Sequence, residues 1–384
     1  MKFDFDKIVD RKHTNSLKWD VNPGELPLWV ADMDFETTPC IREAIEKRAA
    51  NGIFGYSIVP DEWKISCMNW WKRRHGLEIL PECIIFCTGI VPAISSLVRK
   101  LTTPAEKVLL LTPCYNIFFN SIINNGRIPV ECPLDYNGTE YSINFERLEK
   151  ELSDPQVSMM ILCNPQNPTG NIWTKHELAK IGGLCKKYGV IVLSDEIHCD
   201  ITRPGKKYEP FAGASETCAE ISVSCVSPTK CFNIAGINSS AVIVKNPFLR
   251  HKVWRALNTD EIAEPNAFAI DATIAAFNHG EEWLDELNEY LFRNREYAEE
   301  RIDSMNKGFS VIKSDATYLM WVDLHQNGDD FAKELRDKTG LYINGGSEYG
   351  KCVETFVRII LACPRKSLED ALNRLEKFTE NKYL

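Results

Sequence analysis

The chain has 384 residues, long for one compact core and suited to a two-domain enzyme. Its 45 Lys and Arg against 54 Asp and Glu give a net charge of −9, with 44% apolar and 26% charged residues. That balance disfavours a nucleic-acid or anionic-membrane partner, which needs a concentrated basic face, and it matches ordinary globular composition.

The first twenty residues, "MKFDFDKIVDRKHTNSLKWD", contain no apolar core of signal-peptide length. No apolar run approaches the ~20 residues of a membrane-spanning helix, so a cytoplasmic location is expected. "DEWKISCMNWWKRRHG" then places Trp63, Trp70 and Trp71 at a spacing that means core or interface packing. The middle of the chain alternates short apolar runs with helical patterns. "CIIFC" precedes "PAISSLVRKL", "KVLLL" precedes "NIFFNSIINN", and "VSMMILC" precedes "TKHELAKIGGLCKKY". "VIVLS", "ISVSCV" and "SAVIVK" complete the set. This pattern predicts an α/β fold with a largely parallel sheet covered on both faces.

From about residue 280 the pattern changes. "GEEWLDELNEYLFRNREYAEERIDSM" sets Trp283, Leu287, Tyr290 and Leu291 on one face of a long helix. Strands are expected in "ATYLMWVDL" and "TFVRIILA". The domain expectation is a large domain over 48–280, and a smaller α/β domain from 1–47 and 281–384 with the long helix connecting. No repeat or Gly/Ser linker appears, so the domains pack together. Fourteen scattered cysteines include no C-x-x-C pair, which argues for free thiols and against a metal site.

In open α/β sheets ligands bind beyond the carboxyl ends of the strands. Five such ends carry chemistry here. Thr88-Gly89-Ile90-Val91 offers free N–H groups at a helix N-terminus, a seat for phosphate, to which Ser227 and Thr229 could add hydroxyls. Tyr115 could lie on an aromatic ring or simply pack. Asn167, in "NPQNPTG", could donate to a phenolic oxygen or belong only to a turn. Asp195 ends "VIVLS", where burial raises a carboxyl pKa unless a protonated ring nitrogen faces it. His198 could reach the same ring or face solvent. Lys230 closes "ISVSCVSPTK", hemmed in by small neighbours, where a lysine can serve as a nucleophile.

The set resembles the pyridoxal-phosphate enzymes of the aspartate-aminotransferase fold, fold type I. Within it, "LPLWVADMDF" (26–35), "GIFGYS" (52–57), "CNPQNPTG", "SDEIHCDI", "SPTKCFNIAG" and "RIILACPR" (358–365) resemble the cystathionine β-lyase and cysteine-desulfhydrase branch, the C–S lyases. The resemblance covers nearly the whole chain. It implies pyridoxal 5'-phosphate carried covalently on Lys230, with Asp195 on the ring nitrogen and Tyr115 stacked on the ring. Asn167 is implied on the phenolic oxygen, and Ile90, Val91, His198, Ser227 and Thr229 around the cofactor. Arg358 is implied on the substrate carboxylate, with Ala31 and Tyr56 also at the substrate. Tyr56 would cross to the phosphate of a neighbouring subunit, which implies a homodimer with shared sites.

On the residues alone Arg358 has a plainer reading, since one arginine in a strand usually faces solvent, although its planar fork suits a carboxylate. Three departures from the branch stand out: Gln166 in "NPQNP", Cys231 in "KCF", and Ile360 in "RII". Asn238 occupies a place where many aminotransferases of this fold resemble one another in having an arginine on the phosphate. The expected reaction is α,β-elimination of L-cystathionine or cysteine-type substrates to pyruvate, ammonia and a thiol. Two alternatives stand beside it, an aminotransferase and a cofactor-bound regulatory protein that acts through a protein partner.

Overall fold

The computed structural model describes residues 1–382, and seven strands form its large sheet. They are β1 (Ile84–Cys87), β2 (Lys107–Thr112), β3 (Ile128–Pro133), β4 (Val157–Cys163), β5 (Ile191–Asp195), β6 (Ser222–Val226) and β7 (Ser240–Ile243). Across the sheet the order is β1-β7-β6-β5-β4-β2-β3. Only β7 is antiparallel to its neighbours, and the other pairings are parallel.

The strands are continuous apolar runs because both faces of this sheet are covered. Met160, Leu162 and Val192 pack into one apolar layer, while Met159, Ile161 and Leu193 pack into another on the opposite face. Each is almost fully buried. Removing one such side chain from water contributes about 1.5–3 kcal/mol, so the alternation itself fixes which side each residue takes.

The helices that position the site are α1 (Pro39–Ala50), α2 (Asp61–His75), α3 (Ile90–Leu101), α4 (Lys175–Tyr188), α5 (Ala269–His279) and α6 (Glu281–Ser304). In α2, Trp63, Trp70 and Trp71 are all buried, so their spacing encodes core packing. The start of α4 is fixed by a capping box in which Thr174 and Glu177 satisfy each other's backbone. Gly189 ends it at φ 73°, a left-handed position that a side chain would strain. α6 buries Trp283, Leu287, Tyr290 and Leu291, the face its sequence spacing predicts.

A second, antiparallel sheet contains β8 (Ser310–Val311), β9 (Leu319–Asp323), β10 (Asn344–Gly345) and β11 (Phe356–Ile360), in the order β8-β9-β11-β10. The N-terminal segment rides on this part of the molecule: Leu26–Pro27 pairs in parallel with Leu341–Tyr342, and Ile360 donates its N–H to the Leu28 carbonyl. From there residues 28–35 cross to the ends of the large-sheet strands. One apolar cluster joins Leu28 and Phe35 to Trp70, Phe232, Leu287 and Leu319, so no apolar gap separates the two sheets. No helix among the described residues is long and apolar enough to cross a membrane. All fourteen cysteines are free, and Cys352 alone is exposed.

Candidate active site

The five chemistry-bearing strand ends meet. A cavity of about 210 Å³ opens beyond β1, β2, β4, β5 and β6 and is lined by residues at or just after the end of each. Thr88, Gly89, Ile90 and Val91 form one end of it. The first turn of α3 has no capping side chain, so the Ile90 and Val91 N–H groups are unclaimed within the helix. Thr229, Asn238 and Ser240 bring hydroxyl and amide groups to the same cavity. Asn238 lies at φ 53°, a left-handed position that asparagine tolerates better than most side chains. That gives the residue a backbone reason to be asparagine, beside its place in the cavity wall.

Asp195 and Lys230 both line the cavity. Asp195 is 5% exposed and has one recorded hydrogen-bond donor, the Ile197 N–H at 3.1 Å. Burial, reinforced by the neighbouring Glu196, pushes its carboxyl up to about 7. Burial likewise pulls the Lys230 ammonium down to about 8, although Asp32 and Asp195 favour its charged form. Lys230 has no ion-pair partner among the described residues and donates instead to the Ala31 carbonyl at 2.6 Å. A lysine near 8 is about one-tenth neutral at pH 7, far more than a free lysine, and the neutral form is what a nucleophile or a base needs.

His198 is buried in the cavity wall, its Nδ1 without a partner, and burial beside Lys230 and Arg358 pulls it down to about 3. It is a neutral imidazole with a spare polar atom. Tyr115 and Asn167 also line the cavity, and burial raises the phenol of Tyr115. Ala31 reaches it from the N-terminal segment.

Arg358 is not a solvent-facing strand residue: it is 5% exposed, on β11, behind the cavity wall. Its Nη2 donates to the Trp29 carbonyl at 2.8 Å and its Nη1 to Asn167 Oδ1 at 3.4 Å, while the buried Nε has no partner. A buried guanidinium with an unsatisfied N–H is equipped for an anion.

Two further residues expected at a cofactor do not line this chain's cavity. Ser227 is absent from the cavity wall; its Oγ donates to the Ser239 carbonyl at 2.8 Å and is 2.7 Å from Thr229 Oγ1, bracing the turn before Lys230. Tyr56 is fully exposed and lines a separate surface hollow with Phe54, Ile237 and Phe268.

The three departures from the C–S lyase pattern also point away from the cavity. Gln166 is buried and donates to the Leu111 and Pro113 carbonyls at 3.0 and 2.6 Å, bracing the loop that carries Tyr115. The Cys231 thiol turns to the Pro228 carbonyl and to Asp200, and Ile360 is core in the small sheet.

Sequence reasoning missed Cys163, Ile197 and Ser240 in the wall, and Asp32 and Tyr318 beside it. Ser240 had a usable signal, since it opens the last strand after a left-handed asparagine. Tyr318 had none: its hydroxyl meets the Ala31 carbonyl at 2.9 Å across 287 residues of chain.

Among the described residues one group has donor atoms close enough for a metal ion, His75, Cys199 and Asp200. Asp200 is already bonded there to His75 at 2.9 Å and to the Trp70 indole at 3.1 Å, and it is read as a hydrogen-bond hub. The cavity suits another kind of ligand. Unclaimed N–H groups and hydroxyls at one end, a buried and under-bonded carboxylate, a desolvated lysine and an orphaned imidazole nitrogen match phosphate, ring nitrogen, carbonyl and ring of pyridoxal 5'-phosphate.

Comparison with known proteins agrees. The family model for aminotransferase class I and II matches residues 24–375. The cystathionine beta-lyase PatB of Bacillus subtilis (strain 168) is 39% identical over 382 residues, covering 97% of this chain and 98% of that protein. The structure of cystalysin from Treponema denticola, described as containing a pyridoxal 5'-phosphate cofactor, superposes with a TM-score of 0.95 at 30% identity, covering 99% and 100% of the chains. The PLP-bound C-S lyase from Staphylococcus hominis superposes with a TM-score of 0.92 at 32% identity, covering 98% of each.

Proposed function

The chain belongs to the class I and II aminotransferase family, and from that premise we propose that it is a pyridoxal-phosphate-dependent carbon–sulfur β-lyase. It eliminates the thiol from L-cystathionine or a cysteine-type amino acid, leaving pyruvate and ammonia. The observation that carries this reading is Lys230: a desolvated amine with no carboxylate partner, in one cavity with the under-bonded Asp195.

When bound, the cofactor supplies an electron sink for the charge left on Cα as its proton departs. Every other part of the work falls to the chain. Lys230 anchors the cofactor and, once its amine is free, takes the Cα proton. Asp195, far less costly to bury as a carboxylate beside a cationic ring nitrogen, holds the proton on that nitrogen. Asn167 donates to the phenolic oxygen, and the N–H groups of Ile90 and Val91 with the Thr229 hydroxyl bind phosphate. Arg358 takes the substrate carboxylate on its unsatisfied edge. Tyr115, whose burial keeps its phenol protonated at neutral pH, packs on the ring and can supply a proton to the departing sulfur. Asn238 in the cavity wall favours elimination over transamination, since a transaminase of this fold commonly has an arginine there.

We propose further that the molecule works as a homodimer. Ile53, Phe54, Tyr56 and Ile58 are all highly exposed within six residues, an apolar run that water disfavours and a second subunit would cover. Tyr56 would then enter the partner's site. The large domain is taken as 48–280, with 1–47 and 281–384 forming the small one.

The test is purified, cofactor-loaded protein given L-cystathionine, L-cysteine and L-cystine, with pyruvate followed with and without an added keto acid. Pyruvate is expected in step with homocysteine from L-cystathionine and without any keto acid. Turnover that requires α-ketoglutarate and yields glutamate would make the protein an aminotransferase.

A further inference from the structure

The two cations of the site, Lys230 and Arg358, are held by one short stretch of N-terminal backbone. Lys230 Nζ donates to the Ala31 carbonyl at 2.6 Å, and Arg358 Nη2 donates to the Trp29 carbonyl at 2.8 Å. The Tyr318 hydroxyl shares the Ala31 carbonyl at 2.9 Å. Residues 28–35 contain no helix or strand, and their backbone is tied to the rest of the molecule only near the two ends, by Leu28 to Tyr342 and Ile360 and by the Asp34 N–H to the Ala362 carbonyl. Side chains add the remaining ties around Trp29 and Ala31.

They come from a charge cluster centred on the buried pair Lys18 and Asp34. Lys18, with no exposed surface, donates to Asp34 Oδ2 at 2.9 Å and to the Asp32 carbonyl at 3.1 Å. Arg11 reaches Asp34 Oδ1 at 2.9 Å, Asp32 Oδ2 at 2.8 Å and the Met33 carbonyl at 3.0 Å. The Trp19 indole adds a third donor to Asp34 at 2.7 Å. From the other side Asn233, three residues beyond Lys230, donates to the Met33 and Phe35 carbonyls at 3.0 and 2.8 Å and accepts the Met33 N–H at 3.0 Å. The loop that carries Lys230 and the segment that holds its amine are thus stitched together.

A lysine and a carboxylate buried out of water, with Arg11 and Asp32 half-buried beside them, are a poor way to gain stability, because desolvation offsets most of their attraction. Apolar packing could replace the energy. It could not hold two carbonyls at set points facing two cations.

We propose that Lys18 and Asp34 are positioning residues. Their buried pair fixes the Leu28–Phe35 strap, whose Trp29 and Ala31 carbonyls set the resting places of Arg358 and Lys230. The inference rests on the roles given above to Lys230 and Arg358. The groups facing Lys230 are Asp32 on the strap, Asp195 and His198 at the end of β5, Arg358 on β11, and Tyr318 just before β9. A loosened strap moves the Asp32 carboxylate away from the amine together with the carbonyl.

The experiment compares wild type, Lys18→Met, Asp34→Asn and Arg127→Met, all as the cofactor-loaded protein. Arg127 is the control, 7% exposed and bonded to the Arg99 and Thr102 carbonyls far from the strap. Lys18→Met and Asp34→Asn should raise KM for the amino acid at least threefold, with a smaller fall in kcat. They should also lower the pH midpoint of the bound cofactor's visible absorbance by at least half a unit. Amide exchange across residues 28–35 should quicken at least tenfold. Arg127→Met should leave all three readings at wild-type values. Should Lys18→Met fail to fold, Asp34→Asn, which keeps the shape and removes one charge, decides the matter. Unchanged KM and midpoint in folded Asp34→Asn would overturn the proposal, whatever its exchange rates. A wild type with no cofactor absorbance would instead strike the functional reading, and strap exchange no faster in the variants would still overturn the inference.

Discussion

Two buried polar regions lie back to back at the end of β5, and adjacent residues belong to different ones. Asp195 faces the cavity, whereas Glu196, the next residue, faces the interior. Glu196 is fully buried yet well provided: it accepts Ser194 Oγ at 2.7 Å, the Phe211 N–H at 3.0 Å and the Tyr208 hydroxyl. Asp195 has one recorded donor. The same division recurs at His198, with an orphaned nitrogen, against Asp200, bonded to His75 and Trp70. It recurs again at Lys230 against Cys231. At this end of the sheet the polar groups whose bonds are complete serve as scaffold, and those left short of partners line the cavity.

The sharpest test of this division is Lys230→Ala. It should abolish borohydride-fixed cofactor, which in wild type maps to Lys230, and lower elimination by about 10³-fold or more, as loss of an anchoring nucleophile and base together implies. Label on another lysine would break the assignment. Asp195→Asn comes next: cofactor should still bind, but loss of one oriented charge should cost about 2–4 kcal/mol of barrier. Near-normal turnover would remove Asp195 from the chemistry.

Glu196→Ala probes the other side of the division. Three donors lose their acceptor, so denaturant unfolding should report a loss of about 2–4 kcal/mol while KM and the cofactor spectrum of the folded enzyme hold. An effect on KM with stability intact would reverse the roles of the two carboxylates.

A pH effect follows from Asp195 in cofactor-free protein. Its folded pKa near 7 lies above the unfolded value of 3.8, so the folded state binds more protons between them. Its favourable contribution is therefore complete below about pH 4 and lost as pH rises through 7. The unfolding free energy of wild type should fall relative to that of Asp195→Asn as pH rises across that window, by a few kcal/mol at most. A constant difference between the two proteins would show that the carboxyl is not desolvated. The smallest effect concerns thiols. A polar thiol reagent should modify the exposed Cys352 first, while Cys199 and Cys231 behind the site react only on unfolding. Early reaction at Cys231 would open the interior region to solvent.

Much of this was legible in the chain itself. The apolar runs become strands because both faces of the sheet are covered, and the strand ends carry the polar residues because no apolar layer reaches beyond them. Lys230, Asp195, Asn167 and the Gly89 turn all stand out by that rule, and all four line the cavity. The local sequence also set the α4 cap and the buried face of α6, since each depends on residues within a few turns.

Other features depend on contacts that spacing cannot encode. Arg358 reads as an ordinary strand residue until the Trp29 carbonyl meets it from 329 residues away. That the Ser227 hydroxyl meets the Ser239 carbonyl, and that the Gln166 and Cys231 side chains turn to the Leu111 carbonyl and to Asp200, depends on partners distant in the chain. The sequence by itself determines which residue types stand at the strand ends, because hydrophobic alternation acts over neighbouring positions. Only the tertiary structure decides which of two adjacent carboxylates is satisfied and which is left open, because that depends on donors arriving from distant parts of the chain.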